Sequence, residues 1–262
     1  MNNALNNIGI AITRPVEQAK KLNALITHQG GVAISFPLID IVPLTDYSQF
    51  DNTLNTIDNC DWAIFISSNA VQNGMPRLLN KFNPLPPQLQ FAAIGPATAA
   101  ELTQMGAPEV LIPKHRFDSE SLLSLPEMQA MQGKHVMIFR GIGGREVLAD
   151  TLKARGAQVT FAECYQRVNP QSDCLLLEQL WQNKQCHAIV VTSSEAMRHL
   201  LEMTNNGSDT WIRNIAICVN HARIAEEALL TGATDLHLSI ADAPGDEAML
   251  ACIQQAVSKT LK

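Results

Sequence analysis

The chain states one short pattern twice. Ile64-Phe65-Ile66-Ser67-Ser68-Asn69-Ala70 is echoed by Val190-Val191-Thr192-Ser193-Ser194-Glu195-Ala196. In each copy a β-branched apolar run stops at two serines and a helical pattern begins. Such a run reads as a parallel strand buried on both faces, ending in a turn whose serine caps the next helix. In open α/β sheets that turn lies at the carboxyl end of the strand, the edge where such folds bind ligands. The pattern extends beyond these two stretches. Arg14 and Arg140, Gly30 and Gly156, Ser67 and Ser193, and Gly106 and Gly232 all share one spacing, with a single-residue slip near Ala97 and Ala222. Shared spacing at turn positions argues for two homologous halves. The competing reading is that βα units resemble one another by composition alone.

Between these landmarks strand and helix patterns alternate. Ile8–Ile12 reads as a strand ending at Thr13-Arg14-Pro15, with Pro15 in the first turn of a helix that stops at Gly30-Gly31. Phe91–Ile94 ends at Gly95-Pro96-Ala97-Thr98, again with proline at a helix start. Val110–Pro113 reads as a short strand, and Asp118 or Ser119 caps a helix over Ser121–Met131. The strand His135–Phe139 ends at Arg140-Gly141, further βα units follow, and a loop with Pro244-Gly245 precedes the last helix. Repeated βα alternation implies parallel sheets covered by helices on both faces.

Two runs break the rhythm. Val32–Pro43 and Gln158–Val168 occupy equivalent positions in the halves. A run as long as the first would extend roughly 40 Å, beyond the about 5–6 residues of an ordinary strand. Both are expected to leave their sheets as arms crossing between domains, though simple tandem domains also satisfy the repeat. The crossed arrangement places residues 1–36 and 169–262 in a discontinuous α/β domain, 41–162 in an inserted one, and 37–40 with 163–168 in the linker arms.

Composition limits the class of function. A chain of 262 residues with 46% hydrophobic and 17% charged residues suits two globular domains with full cores. No apolar run approaches the roughly 20 residues that span a bilayer, and the first residues lack the basic and apolar regions of a secretory signal. The six cysteines are scattered without a C-x-x-C pair, as free thiols of a reducing, cytoplasmic compartment would be. A net charge of −6 without a basic block speaks against nucleic acid or membrane surfaces as partners. A small anion held locally by arginines and helix N-termini fits.

The ordered pieces Ile12-Thr13-Arg14-Pro15, Phe65-Ile66-Ser67-Ser68-Asn69-Ala70, Ala93-Ile94-Gly95-Pro96-Ala97-Thr98-Ala99, Phe139-Arg140-Gly141, Cys164-Tyr165-Gln166-Arg167 and Val191-Thr192-Ser193-Ser194 together resemble the uroporphyrinogen-III synthase family. The resemblance runs from about Ile10 to Glu247. It implies two flavodoxin-like parallel-sheet α/β domains, one discontinuous, joined by a two-stranded antiparallel linker. It also implies an enzyme, a hydro-lyase of tetrapyrrole (heme) biosynthesis. Such an enzyme cyclises linear hydroxymethylbilane to uroporphyrinogen III, losing water and inverting the terminal pyrrole ring, without metal or organic cofactor. A monomer and a transient hand-over of substrate from the preceding pathway enzyme are expected with it.

The resemblance makes Tyr165 the candidate catalytic residue, its hydroxyl placed to protonate or orient the departing hydroxyl. The substrate carries carboxylates on every ring, so anion donors are expected at the strand-end loops: Ser67, Ser68, Asn69, Gly95, Arg140, Gly141, Ser193 and Ser194. Thr98 matches a family threonine, and Arg14 is the repeat counterpart of Arg140. Asn220-His221-Ala222-Arg223 departs from the Gly/Thr-rich turn of some members, with Asn220 or Arg223 as substitutes. Arg145, Lys114 and Arg116 are lesser candidates. Each serine or glycine is also explained by ordinary helix capping, and Tyr165 by packing. Two alternatives stand beside the enzyme. One is a non-catalytic hinged two-domain binding protein; the other is a dinucleotide enzyme built on Gly141-Ile142-Gly143, where Glu146 stands in place of the third glycine. Cys186-His187 reads as packing rather than metal ligation.

Overall fold

A computed structural model describes residues 4–260 except Arg145 and Pro244, so expectations at those two residues lie outside the described ones. In chain order the elements begin with β1 (Gly9–Ile12), α1 (Val16–His28), β2 (Val32–Ser35) and β3 (Asp40–Pro43). There follow α2 (Ser48–Leu54), β4 (Trp62–Phe65), α3 (Ser68–Lys81), β5 (Gln90–Ala93), α4 (Pro96–Gln104), β6 (Val110–Leu111) and α5 (Ser119–Leu123). Next come β7 (His135–Gly141), α6 (Val147–Ala154), β8 (Gln158–Val168), α7 (Leu175–Gln182), β9 (Ala188–Val191) and α8 (Ser194–Glu202). The chain ends with α9 (Thr210–Arg213), β10 (Ala216–Val219), α10 (Ala222–Leu230), β11 (His237–Ile240) and α11 (Asp246–Thr260). No helix of the described residues is long and apolar enough to cross a membrane.

The chain divides into two compact units, Met1–Asp40 with Val168–Lys262, and Ile41–Arg167. The first carries a five-stranded sheet in the order β11-β10-β9-β1-β2, and all four strand pairs are parallel. The second sheet has six strands in the order β3-β8-β7-β4-β5-β6, parallel from β8 through to β6. The order β8-β7-β4-β5-β6 repeats β2-β1-β9-β10-β11. In the first sheet two strands from one half of the sequence repeat join three from the other; in the second, two join four, β3 being the extra edge strand. The order therefore reverses at the β1/β9 and the β4/β7 boundaries, which are the switch points of open α/β sheets.

The twin strands match their sequence reading. β4 and β9 are buried along their whole length, as strands covered on both faces must be. Helix stops behave alike: Gly30 and Gly156, equivalent in the repeat, hold φ of 81° and 86°, a left-handed conformation that glycine adopts without steric cost. In the second unit Phe65 stacks on Phe139 with ring centroids 4.1 Å apart, and Phe50 meets Phe139 edge-on at 6.2 Å. Such aromatic pairs add about 0.5–1.5 kcal/mol beyond the area they bury. The first unit packs α1 and α11 over β1, β9 and β10 through Ile10, Leu22, Ile26, Met249 and Ile253.

Several local expectations are corrected. Pro15 is the N-cap of α1 at φ −48°, ψ 139°, not part of its first turn; extended backbone there fits a proline that cannot donate. The helix expected over Ser121–Met131 stops at Leu123 and resumes as a 3-10 turn at Pro126–Met128. Pro126 pushes Leu125 to extended dihedrals, φ −67° and ψ 144°. The strand at Val110–Pro113 shortens to Val110–Leu111, because Pro113 has no N–H for a ladder. The arm Val32–Pro43 becomes two short strands in different sheets, with buried Phe36 and Leu38 between them. The second arm forms one strand, β8, which lies between β3 and β7 in the sheet order. α9 has no counterpart in the sequence reading.

Candidate functional site

The two switch points carry matching strand-end turns. In the second unit β4 ends at Ser67, whose extended backbone (φ −166°, ψ 162°) turns the chain into α3 while its Oγ accepts the Ala70 N–H at 3.2 Å. This is the N-cap arrangement that Ser favours over most residues. Ser68 and Asn69 follow in the first turn, both partly buried.

On the neighbouring strand the register with β8 slips. Arg140 pairs with Glu163 but Gly141 pairs with Tyr165, leaving Cys164 as the extra residue of a bulge. Bulges re-aim side chains, and this one sets the Tyr165 ring against Gly141. The ring is buried, at 1% exposure, and its hydroxyl lies 3.4 Å from Ser67 Oγ. Tyr165 therefore joins the strand-end turn of β4 to the bulge of β8. Cys164 points inward, its thiol donating to the carbonyls of Arg140 (3.4 Å) and Ala70 (3.6 Å). Burial pushes that thiol up to about 12, so it stays protonated.

Neither of the two expected anion-binding arginines faces solvent. Arg140 is 3% exposed; its Nε donates to the Gly141 carbonyl at 3.2 Å, Nη2 donates to the Gly143 carbonyl, and its guanidinium lies 4.5 Å from the Phe161 ring centroid. It holds the loop after β7, whose Gly143 N–H also donates to Glu163 Oε1 at 3.2 Å. Arg14 donates to Thr192 Oγ1 at 3.2 Å and pairs with Asp246 at 2.5 Å, its side chain 13% exposed. It ties the end of β1 to the start of α11. Both arginines are thus engaged within the protein, and a partner for either was not visible in local sequence.

The other candidates divide between the units. In the second unit Gly95 is the N-cap of α4 and Thr98 is buried in that helix's first turn. Gly95 has no side chain to cap the helix, so the first N–H groups of α4 are left for an outside acceptor. In the first unit Ser193 repeats Ser67: its Oγ accepts the Ala196 N–H at 3.1 Å to cap α8. Ser194 Oγ and Asn220 Oδ1, at the ends of adjacent strands, are buried without a hydrogen-bond partner among the described residues. Buried polar atoms are rarely left so. His221, not foreseen, caps α10 by accepting the Arg223 N–H on Nδ1 at 3.1 Å. Among the described residues no three His, Cys, Asp or Glu side chains gather as a metal site would require.

Two open parallel α/β sheets with capped helix starts at their switch points define a class that takes small polar ligands at the carboxyl edge. The family model "Uroporphyrinogen-III synthase HemD" matches residues 20–251. The uroporphyrinogen-III synthase of Escherichia coli (strain K12) is 34% identical over 248 residues, covering 94% of this chain and 100% of that protein. That of Proteus mirabilis is 34% identical over 207 residues, covering 78% of this chain and 100% of that one. Among solved structures, a mutant uroporphyrinogen III synthase from the extremely thermophilic bacterium Thermus thermophilus superposes with a TM-score of 0.63 at 16% identity, covering 96% of this chain and 99% of that chain. The chain belongs to the uroporphyrinogen-III synthase family.

Proposed function

We propose that this protein converts hydroxymethylbilane to uroporphyrinogen III. The observation that carries the reading is the full-length match at 34% identity to a curated uroporphyrinogen-III synthase, joined to a tyrosine hydroxyl held at a switch point, 3.4 Å from Ser67. With the family come the finer features of our reading: flavodoxin-like strand orders, linker arms at 37–40 and 163–168 paired antiparallel, and a lyase reaction.

In that reaction the hydroxyl of the linear tetrapyrrole departs as water after accepting a proton. The resulting electrophilic carbon is attacked by the substituted carbon of the terminal ring, and the spiro intermediate opens and recloses with that ring inverted. Unassisted closure uses the unsubstituted carbon and gives the other isomer. The protein's contribution is therefore chiefly orientation, which can supply several kcal/mol, up to about 7–11 in model systems.

The residues divide the work. Ser67, Ser68, Asn69, Gly95, Thr98 and Gly141 in one unit, and Ser193, Ser194 and Asn220 in the other, offer main-chain N–H groups and small polar side chains to the carboxylates. Arg14 and Arg140 support these loops from within. Tyr165 is the proton donor or orienting group for the departing hydroxyl, a role worth up to about 10²-fold. The test is the identity of the isomer formed when hydroxymethylbilane is supplied: type III supports the reading, and type I alone overturns it. A binding protein without catalysis would give the same isomer mixture as buffer.

A further inference from the structure

The loop after β6 presents an aromatic side chain to solvent. Phe117 is 53% exposed and is the only aromatic among the exposed large hydrophobic residues described. A single exposed apolar side chain is ordinary; what sets Phe117 apart is its place. A Cβ at Gly95 would lie 3.4 Å from the Phe117 Cβ and 3.6 Å from its Cγ, so the phenylalanine leans on the residue that starts α4. Its loop follows the sheet's edge strand and returns over the carboxyl edge, beside first-turn N–H groups that Gly95 leaves uncapped.

Two of its neighbours, Lys114 and Arg116, are cationic. Lys114, His115 and Arg116 precede Phe117 and are all exposed. Arg116 pairs with Asp118 at 3.1 Å while its side chain remains 83% exposed. Asp118 in turn accepts the Ser121 N–H at 2.8 Å to cap α5, which fixes the base of the loop. Lys114 makes no ion pair among the described residues. A flat apolar ring flanked by cations and an uncapped helix start complements a flat π-system that carries carboxylates.

We propose that Phe117 is a substrate-binding residue that stacks on the face of one pyrrole ring, while Lys114 and the first turn of α4 take that ring's acetate or propionate. This rests on the functional reading above and adds to it the part of the site that recognises the ring rather than its charges. Offset stacking would hold one ring at a fixed tilt, which a chain of freely rotating pyrroles otherwise lacks.

The test compares the wild type with Phe117→Ala, Phe117→Leu and Phe117→Trp, with hydroxymethylbilane generated in situ and the isomers resolved after oxidation. Phe117→Ala and Phe117→Leu should each raise KM roughly ten-fold with kcat within about two-fold. Phe117→Trp should keep the wild-type KM, and its indole fluorescence should be quenched on adding uroporphyrinogen III. Phe117→Leu keeps the apolar bulk, so a fold defect is not at issue. Wild type yielding type III with Phe117→Leu matching its KM would overturn this proposal alone. Wild type yielding only type I would overturn the functional reading and this proposal with it.

Discussion

The ring of Tyr165 fills the space that a side chain on Gly141 would need. A Cβ at Gly141 would fall 2.5 Å from Cε2 and 2.8 Å from Cζ of that ring, closer than nonbonded carbons approach. Glycine at this position and the bulge at Cys164 are therefore two halves of one device that fixes where the tyrosine hydroxyl sits. Gly141→Ala should displace the ring, lowering stability by about 1–3 kcal/mol, the usual cost of overpacking, and lowering kcat as well. Denaturant unfolding and steady-state rates measured together check this; a variant that unfolds earlier yet keeps wild-type kcat would detach Gly141 from the chemistry.

Tyr165→Phe removes the hydroxyl and little else, since the ring packs in the apolar core of its unit. We expect kcat to fall by up to about 10²-fold with KM nearly unchanged. Ser67→Ala should act differently. It removes the α3 cap, at about 1 kcal/mol of stability, but leaves the main-chain N–H groups in place, so the rate should fall only a few-fold. If the two variants lose the same rate, the hydroxyl pair works as a unit and the serine oxygen takes part in the chemistry.

His187 and Gly9 exchange two hydrogen bonds: His187 N–H donates to the Gly9 carbonyl at 2.8 Å, and Gly9 N–H donates to His187 Nδ1 at 3.1 Å. Burial holds the imidazole below its ordinary value of 6.5. The unfolded chain then takes up the proton first as pH falls. This contribution is complete above about pH 6.5 and is lost as pH drops toward the folded-state value. His187→Asn keeps an acceptor for Gly9 without titrating. Unfolding midpoints between pH 8 and 5.5 should fall more steeply for the wild type; parallel curves would remove His187 as a source of pH dependence.

Arg14 and Asp246 form an ion pair whose side chains are only 13% and 14% exposed. Asp246→Ala leaves the guanidinium in a largely dry site. Breaking buried pairs costs about 3–5 kcal/mol, and partial access to water places this one below that, at about 2 kcal/mol. A chemical unfolding curve unchanged by Asp246→Ala would show that Arg14 is held by Thr192 alone.

What the sequence revealed and what it withheld follow from distance along the chain. The twin strands β4 and β9, their serine caps and the glycine stops are local: a β-branched run, a hydroxyl three residues from the N–H it accepts, a residue free to adopt positive φ. All were readable. The ion pair of Arg14 left no local mark, because its partner Asp246 lies 232 residues away. The bonds of Arg140 were equally hidden, because a guanidinium turned back onto its own loop leaves no mark in a residue pattern. Tyr165 could be placed by resemblance, but its burial against Gly141 depends on a register slip between β7 and β8 that no periodicity announces. Phe117 carries one local signal, an aromatic that follows Lys114 and Arg116, and no recurring motif accompanies it.

On the function proposed above, this chain directs closure of a linear tetrapyrrole toward the inverted ring. Purified protein is given hydroxymethylbilane as it forms, and the oxidised uroporphyrin isomers are then separated. We predict a product dominated by the type III isomer, falling toward the type I isomer of spontaneous closure in Tyr165→Phe. Type I alone from the wild-type protein would contradict that function.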